Sequence, residues 1–428
     1  MRSQPPKRFA LIFAAVSVVL SSTEKLPAAD AQPPCVSIVK RELTDAVSPY
    51  YRAIYGDVAK DRLVSSSWQS DDNGKNWSPI RSHHALARGL TPGFRRNPTT
   101  STLDPNRNCV LAIVNALDTP NLDPKINEPP IAQKTYYLRY RVSTDGGASW
   151  LCDDPIVGVG DYDAKHPFDD LWIGKNAIYV GDNGCAPIVT DSGRVLLPVQ
   201  MTVLDDAGEL YQPPRAHTYT EAVALVGTWT DENRITWRMP TRVKGDPEKT
   251  VRGLIEPTIA EAPDGRILMV MRGSNSHDST VASSKWFAVS NDEGETWSEP
   301  KRWAYDDGTS FYSPSSMSVL MRHSSGRVFW GGNITPENPK GNLPRFPLVI
   351  GEVDPQSLQL IRSSVVVVDQ KNPEDANRGR LDLSHVHLME DRETKEMILT
   401  YTRAYHAYRQ REFALLRLAL SSPEDVQE

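Results

Sequence analysis

The sequence is poor in several things. Cysteine is scarce: four in 428 residues, at Cys35, Cys109, Cys152 and Cys185. Their spacing fits no zinc motif, and an even number permits either two disulfides, in three possible connectivities, or four buried free thiols. Basic excess is absent. The net charge is −6, which offers no cationic surface to a nucleic acid or another polyanion. Long helix-period runs are missing, while 33 Pro and ten Trp favour a β-rich, loop-rich chain. Long apolar runs are missing too. Phe9 to Leu20 spans about 12 residues, short of the roughly 20 that cross a bilayer, so no membrane span is expected. There is no His-Glu-x-x-His, no phosphate-cradling Gly-Lys-Ser/Thr, no nucleophile elbow, no dinucleotide fingerprint and no EF-hand-like loop. No metal and no cofactor are therefore expected.

That short apolar run follows Arg2, Lys7 and Arg8 and precedes the small residues Ala29-Asp-Ala31. This is the layout of a secretory signal peptide over residues 1–31, cut after Ala31, with a secreted or periplasmic protein from residue 32 to 428.

What the chain does have is repetition. The skeleton Ser-x-Asp-x-Gly-x-x-Trp occurs at Ser70–Trp77, Ser143–Trp150 and Ser290–Trp297, with a degraded copy at Thr230–Trp237. Asp and Ser side chains close such a turn on the backbone, Gly supplies a positive φ, and Trp folds back as an apolar plug. A second element repeats as strand, turn, strand, most clearly from Pro257 through Asp264-Gly265 to Arg272. Similar hairpins begin near Asn97, Ala186, Ser315 and Ser384, at intervals of 58 to 89 residues. Units of that length suit propeller blades of about four strands. The stretch from Cys35 to Pro79 supplies a sixth blade or closes the ring by joining the last. The expectation is an all-β, six-bladed β-propeller forming one domain over residues 32–428.

The turn repeats are the Asp boxes of the sialidase (neuraminidase) superfamily, which the chain resembles from roughly residue 45 to its end. The resemblance implies an exo-glycosidase that holds a sugar carboxylate with three arginines, because a guanidinium offers a planar, permanently charged fork. Phe94-Arg-Arg-Asn-Pro98 resembles the family's Phe-Arg-Ile-Pro and points to Arg96, with Arg95 as competitor. Arg272, closing the hairpin that Glu256 opens, resembles the second arginine, and Arg345 the third. Glu256 matches the glutamate that polarises a tyrosine nucleophile, whose phenol is otherwise too weakly acidic to attack. Here the chain departs from the family. Arg380–Leu388 holds no tyrosine, and Leu383 or His385 takes the position, with Tyr312, Tyr401 and Tyr405 as other hydroxyls within the same blades. His385 and His387 alternate along a strand and share a face, where they can act as general base, bind a sugar hydroxyl, or simply be strand histidines. The general acid falls on the loop after the first hairpin, at Asp118 or Asp123, and Asp163, His166 and Asp169 form a further polar cluster at the rim. The partner implied is a glycan with a terminal acidic sugar, sialic acid by default. A uronic-acid hydrolase or lyase and a non-catalytic glycan-binding propeller are the alternatives.

Overall fold

The sheets of this chain are all antiparallel and nearly all four-stranded, and their order follows the chain. A computed structural model describes residues 35–65, 67–80, 94–118, 132–214, 216–276, 278–405 and 410–421, with side chains from 99 to 117 in the second hairpin region. Among these residues, six sheets form the blades of a propeller. Blade 1 holds β2 (Ile54–Tyr55), β3 (Leu63–Val64), β4 (Trp68–Ser70) and β5 (Ser78–Pro79). Blade 2 holds β6 (Phe94–Asp104), β7 (Cys109–Asp118), β8 (Tyr136–Ser143) and β9 (Cys152–Pro155), with one helical turn, α1 (Ala132–Thr135), before β8. Blade 3 is built from β10 (Ile178–Tyr179), β11 (Ile188–Val189), β12 (Val195–Thr202), β13 (Thr220–Trp229) and β14 (Ile235–Arg238). Blade 4 runs β15 (Ile255–Glu261), β16 (Ile267–Arg272), β17 (Lys285–Ser290), β18 (Lys301–Arg302). Blade 5 runs β19 (Val319–Arg322), β20 (Val328–Asn333), β21 (Leu348–Val353), β22 (Val366–Asp369).

Blade 6 joins the two ends of the chain. Its strands β23 (Leu381–Glu390), β24 (Met397–Tyr405) and β25 (Gln410–Leu420) are completed by β1 (Val36–Thr44), which pairs with β25 from Val36↔Leu420 to Thr44↔Phe413. The N-terminal region thus does both things expected of it: β1 closes the ring, and β2–β5 make a blade. Closure removes an exposed sheet edge.

Burial explains why the strands read as they do. The middle strands β12, β16 and β24 are buried along their whole length, because neighbouring blades cover both faces. Their sequences are therefore near-continuous apolar runs rather than alternations. The outer strand β18 is only Lys301-Arg302, both exposed. Apolar clusters fill the joints between blades; Leu196, Ala224 and Val226 of blade 3 meet Ile259, Met269 and Met271 of blade 4.

The Asp boxes form one circuit, repeated three times. Ser143 Oγ donates to Asp145 Oδ1 (2.7 Å) and accepts from the N–H of Gly147 (2.7 Å), while Asp145 accepts from Ser149 N–H (2.8 Å) and Ser149 Oγ (2.6 Å). Ser70–Asp72–Gly74–Asn76 and Ser290–Asp292–Gly294–Thr296 repeat every bond. The aspartate caps an N–H four residues on, not two as the turn chemistry alone suggests. In the degraded copy the Trp237 ring is fully buried on β14, and only Thr230 Oγ1 still accepts, from Arg234 N–H (3.3 Å). The four cysteines are free and buried, which realises the thiol alternative.

Candidate active site

Side chains from blades 3, 4, 5 and 6 reach one another directly. Asp182, at the start of blade 3, touches His385 of blade 6 through Oδ2 and Nδ1 at 2.9 Å, and Asn183 Nδ2 donates to Val386 O at 3.2 Å. Blades 3 and 6 stand opposite each other in a six-membered ring, so they can meet only at its axis. The other contacts extend from there.

Glu256 opens β15 in a left-handed conformation, φ +48°, at a register shift between Ile255 and Thr258. A non-glycine residue with positive φ stores strain that the surroundings must hold in place. Gln200 of β12 does so, its Oε1 accepting from Glu256 N–H at 2.7 Å. Gly181 permits the approach, since a Cβ there would lie 2.6 Å from both Glu256 Cγ and Gln200 Oε1. The carboxylate takes a 2.6 Å bond from Arg272 Nη1 on Oε1, whereas Oε2 is buried with no partner.

Arg272 ends β16, opposite Ile255 in register, and is 9% exposed. Its other two nitrogens also donate: Nε to Ser315 Oγ (2.8 Å) and Nη2 to Asn342 Oδ1 (3.1 Å). Lys285 lies beside it across the strand pair and is fully buried, its Nζ donating to Ser316 O. Burial pushes the Lys285 ammonium down to about 7, with Arg272 and Arg345 adding repulsion and Glu256 opposing them. Arg345 is 9% exposed between blades 5 and 6. Its carbonyl accepts from Leu383 N–H (3.0 Å) and Asn333 Nδ2 (3.2 Å), and its Nη1 donates to Ser384 Oγ (3.3 Å). Glu256, Arg272 and Arg345 therefore share one electrostatic neighbourhood around Lys285.

His385 also has positive φ, +54°, where β23 shifts register between Ser384 and His387. The shift takes Val386 into the core and separates the two histidines, so they do not occupy the uniform face that simple alternation implies. His385 goes to Asp182. His387 lines a cavity of about 80 Å³ between blades 1 and 2 together with Arg52, Asn183 and the apolar side chains of Val110, Ala112 and Val114. Burial, and then Arg52, push the His387 imidazole down to about 4, and its Nδ1 is buried without a partner. Burial pushes the Asp182 carboxyl up, but the hydrogen bond and charge of His385, with Arg52 behind them, outweigh it and hold it below the usual carboxylate value. The thiol of Cys185 is driven well up by burial, then by the charges of Glu256 and Asp182, which ties the two carboxylates to one locality.

Several expected residues fall elsewhere. Tyr401 and Tyr405 do not approach Glu256. Tyr401 donates to Asp369 (2.6 Å) and Tyr405 to Asp375 (2.8 Å), and Arg403 pairs with both aspartates, in a saturated buried network within blades 5 and 6. Tyr312 is 38% exposed and its hydroxyl makes no hydrogen bond to Glu256. Leu383 is core. Asp163, His166 and Asp169 belong to a self-contained surface loop: Asp163 accepts from the N–H groups of Lys165 and His166, Tyr162 donates to Asp169, and His166 stacks on Trp172 at 3.6 Å. Arg96 sits opposite Ala116 and Asp118 opposite Phe94 in the β6–β7 ladder, with side chains outside the described set. Asp123 lies outside the described residues altogether.

Other residues escaped the sequence reading. Asp182 lies in Gly181-Asp-Asn-Gly184, which reads as an ordinary turn. Arg52, φ +60°, precedes β2 much as Arg345 precedes β21, so the same signal was present. Arg252 and Gln200 carried none.

A family model described as a BNR repeat-like domain matches residues 125–384. The chain belongs to that family. Among solved structures, this BNR-type propeller is similar to a Dyadobacter fermentans protein of unknown function, with TM-score 0.54, 16% identity, and 91% of this chain and 100% of that one covered. It is also similar to the Hadza microbial sialidase Hz136, with TM-score 0.51 and 16% identity over 86% of this chain and 61% of that one. The NanB sialidase of Streptococcus pneumoniae gives 0.50 and 12% identity over 94% and 70%. At such identities what is shared is the propeller. No curated protein matches the sequence.

Proposed function

We propose that this protein is an exported glycosidase that cleaves a terminal acidic sugar from a glycan, with sialic acid the first candidate. The observation that carries the reading is the half-satisfied carboxylate of Glu256. Arg272 fixes one oxygen, and the other is left open inside a ring of positive charge. Arg252, Arg272 and Arg345 gather around Glu256 and Lys285, and Arg52 stands beside Asp182, although the whole chain is net negative. Such a local excess draws in and orients an anionic sugar.

The chemistry follows from the atoms in place. Glu256 Oε2 accepts a hydroxyl proton of the substrate or of the attacking water. Asp182 orients His385, so the imidazole can take a proton as the water oxygen bonds to the anomeric carbon. The glycosidic C–O bond breaks, and the leaving oxygen takes a proton from a carboxylic acid; Asp118 and Asp123 are the candidates the sequence offers. A His–Asp pair where the resemblance expects tyrosine favours direct attack by water over a covalent intermediate. The same pair supports a second reading, in which His385 removes the proton beside a uronic-acid carboxylate and the chain is cleaved by elimination.

The test is release of a fluorophore from a sialic-acid aryl glycoside, run beside uronic-acid glycosides and polymers, with ultraviolet absorbance reporting any unsaturated uronate. Fluorophore release from the sialoside supports the first reading, and unsaturated product the second. Binding of sugar acids without turnover in either assay makes the protein a glycan-binding propeller.

A further inference from the structure

We infer that Arg252, not Arg272, is the guanidinium kept open for the substrate carboxylate. This rests on the proposed function of the same site. Each of the three Arg272 nitrogens already donates to a protein group, to Glu256, Ser315 and Asn342, so its fork is fixed on the protein. It is a positioning residue for Glu256. Arg252 is the reverse case. Its side chain makes no hydrogen bond among the described residues, and its Nε is buried without a partner. An orphaned, desolvated donor on a charged group is costly, and native interiors rarely keep one unless a ligand meets it. Val251 N–H donates to Ser274 O (2.9 Å), which sets Arg252 beside the Arg272 end of β16 and four residues before Glu256; burial, and then repulsion from Arg272, lower the Arg252 value, with Tyr179 and Glu256 on the favourable side. A sugar acid satisfies both orphans at once: its carboxylate accepts from Arg252, and a neighbouring hydroxyl donates to Glu256 Oε2.

The backbone under Arg252 is built to hold it still. Thr220 N–H and Oγ1 both donate to Arg252 O (3.1 and 3.3 Å), and Leu254 N–H returns to Thr220 O (3.0 Å). Val251 N–H donates to Ser274 O (2.9 Å), and Thr250 Oγ1 donates to Gly253 O (2.7 Å). Gly253, φ +73°, is pressed so tightly on this joint that a Cβ would lie 1.9 Å from Thr220 O. A solvated surface arginine needs no such mount. A guanidinium that must meet a planar anion at fixed geometry does.

The experiment compares Arg252→Met and Arg252→Lys with the wild type on an acidic aryl glycoside and on its methyl ester, alongside thermal unfolding with and without free sialic or glucuronic acid. In Arg252→Met, KM for the acid is expected to rise by about 10- to 100-fold, the loss of a charge-assisted bidentate contact. The ester, with no charge to offer, should lose far less, so the acid-over-ester preference collapses. Arg252→Lys should recover part of it. Stabilisation by the free sugar acid should vanish in Arg252→Met, while the unliganded variant melts at or above the wild-type temperature. Equal losses on acid and ester, unchanged KM, or a large drop in unliganded melting temperature would overturn the assignment. If the wild type is stabilised by sugar acids through Arg252 yet cleaves nothing, the role of Arg252 stands and the glycosidase reading fails.

Discussion

The periphery of this propeller and its axis treat polar groups in opposite ways. In each Asp box the serine hydroxyl, the aspartate and two or three N–H groups are paired within eight residues of chain, although the plugging indole N–H of Trp297 is buried without a partner. Farther along blade 6, Arg403, Asp369, Asp375, Tyr401 and Tyr405 are almost fully buried and fully partnered. At the axis the chain keeps Glu256 Oε2, Arg252 Nε and His387 Nδ1 buried without partners, and holds Arg52, Glu256 and His385 at positive φ. Saturation specifies structure. Incomplete pairing, held in place by a saturated frame, leaves something for a ligand to complete.

The comparison predicts opposite responses to similar substitutions. Arg403→Met should have the largest effect on stability, because it strands two buried carboxylates in the blade 6 network. A loss of about 3–5 kcal/mol is expected in denaturant unfolding, with the proposed activity per folded molecule close to wild type. A buried charge removed at the axis should do the converse. Glu256→Gln keeps the shape and an acceptor for Arg272 but cannot take a proton, so kcat/KM should fall by about 10²–10³-fold with a melting temperature near that of wild type. If Glu256→Gln unfolds the protein and leaves the specific activity of the folded fraction intact, the axis is one more structural network and the contrast disappears.

A smaller effect should come from the rim. Asp145→Ala removes the acceptor for Ser149 and the partner of Ser143, in a turn with no described contact to the axis. The expected cost is about 1–2 kcal/mol, with kcat and KM unchanged. Asp292→Ala in blade 4 should behave the same way, since its circuit is the same. Unequal costs would show that the tryptophan plug, not the hydrogen-bond circuit, carries the turn.

This division also explains what could be read from the sequence. The blades were legible because each Asp box writes its whole circuit in eight consecutive residues, and because Glu256 and Arg272 belong to one hairpin. The pairing of Asp182 with His385 was not, because it joins residues 203 apart in blades that meet only once the ring has closed. His385 and His387 misled for a related reason. Period-2 alternation puts them on one face, but the bulge at Ser384–His387 breaks the period where the site needs it broken. Arg252 gave no signal because its distinguishing feature is a missing partner, which only three-dimensional neighbours can reveal.

His387 gives the smallest effect and the finest test of the contrast. Burial and Arg52 hold its imidazole down to about 4, below the ordinary value near 6.5. A base whose value is depressed in the folded state binds fewer protons folded than unfolded between those two values. Its contribution is complete above about 6.5 and is lost as pH falls through about 4. The lowered aspartates Asp182, Asp375 and Asp391 act below the ordinary Asp value of 3.8, while Glu261, raised by burial from 4.5, adds a slope of opposite sign within the window, so the histidine's share is read as the difference between variant and wild type. His387→Gln should therefore flatten the pH dependence of unfolding in that window by on the order of 1 kcal/mol, discounted for solvent reaching the cavity. An unchanged slope would mean that the imidazole titrates as it does in water, that the cavity beside Arg52 is wet and permissive, and that the axis holds fewer strained groups than its geometry indicates.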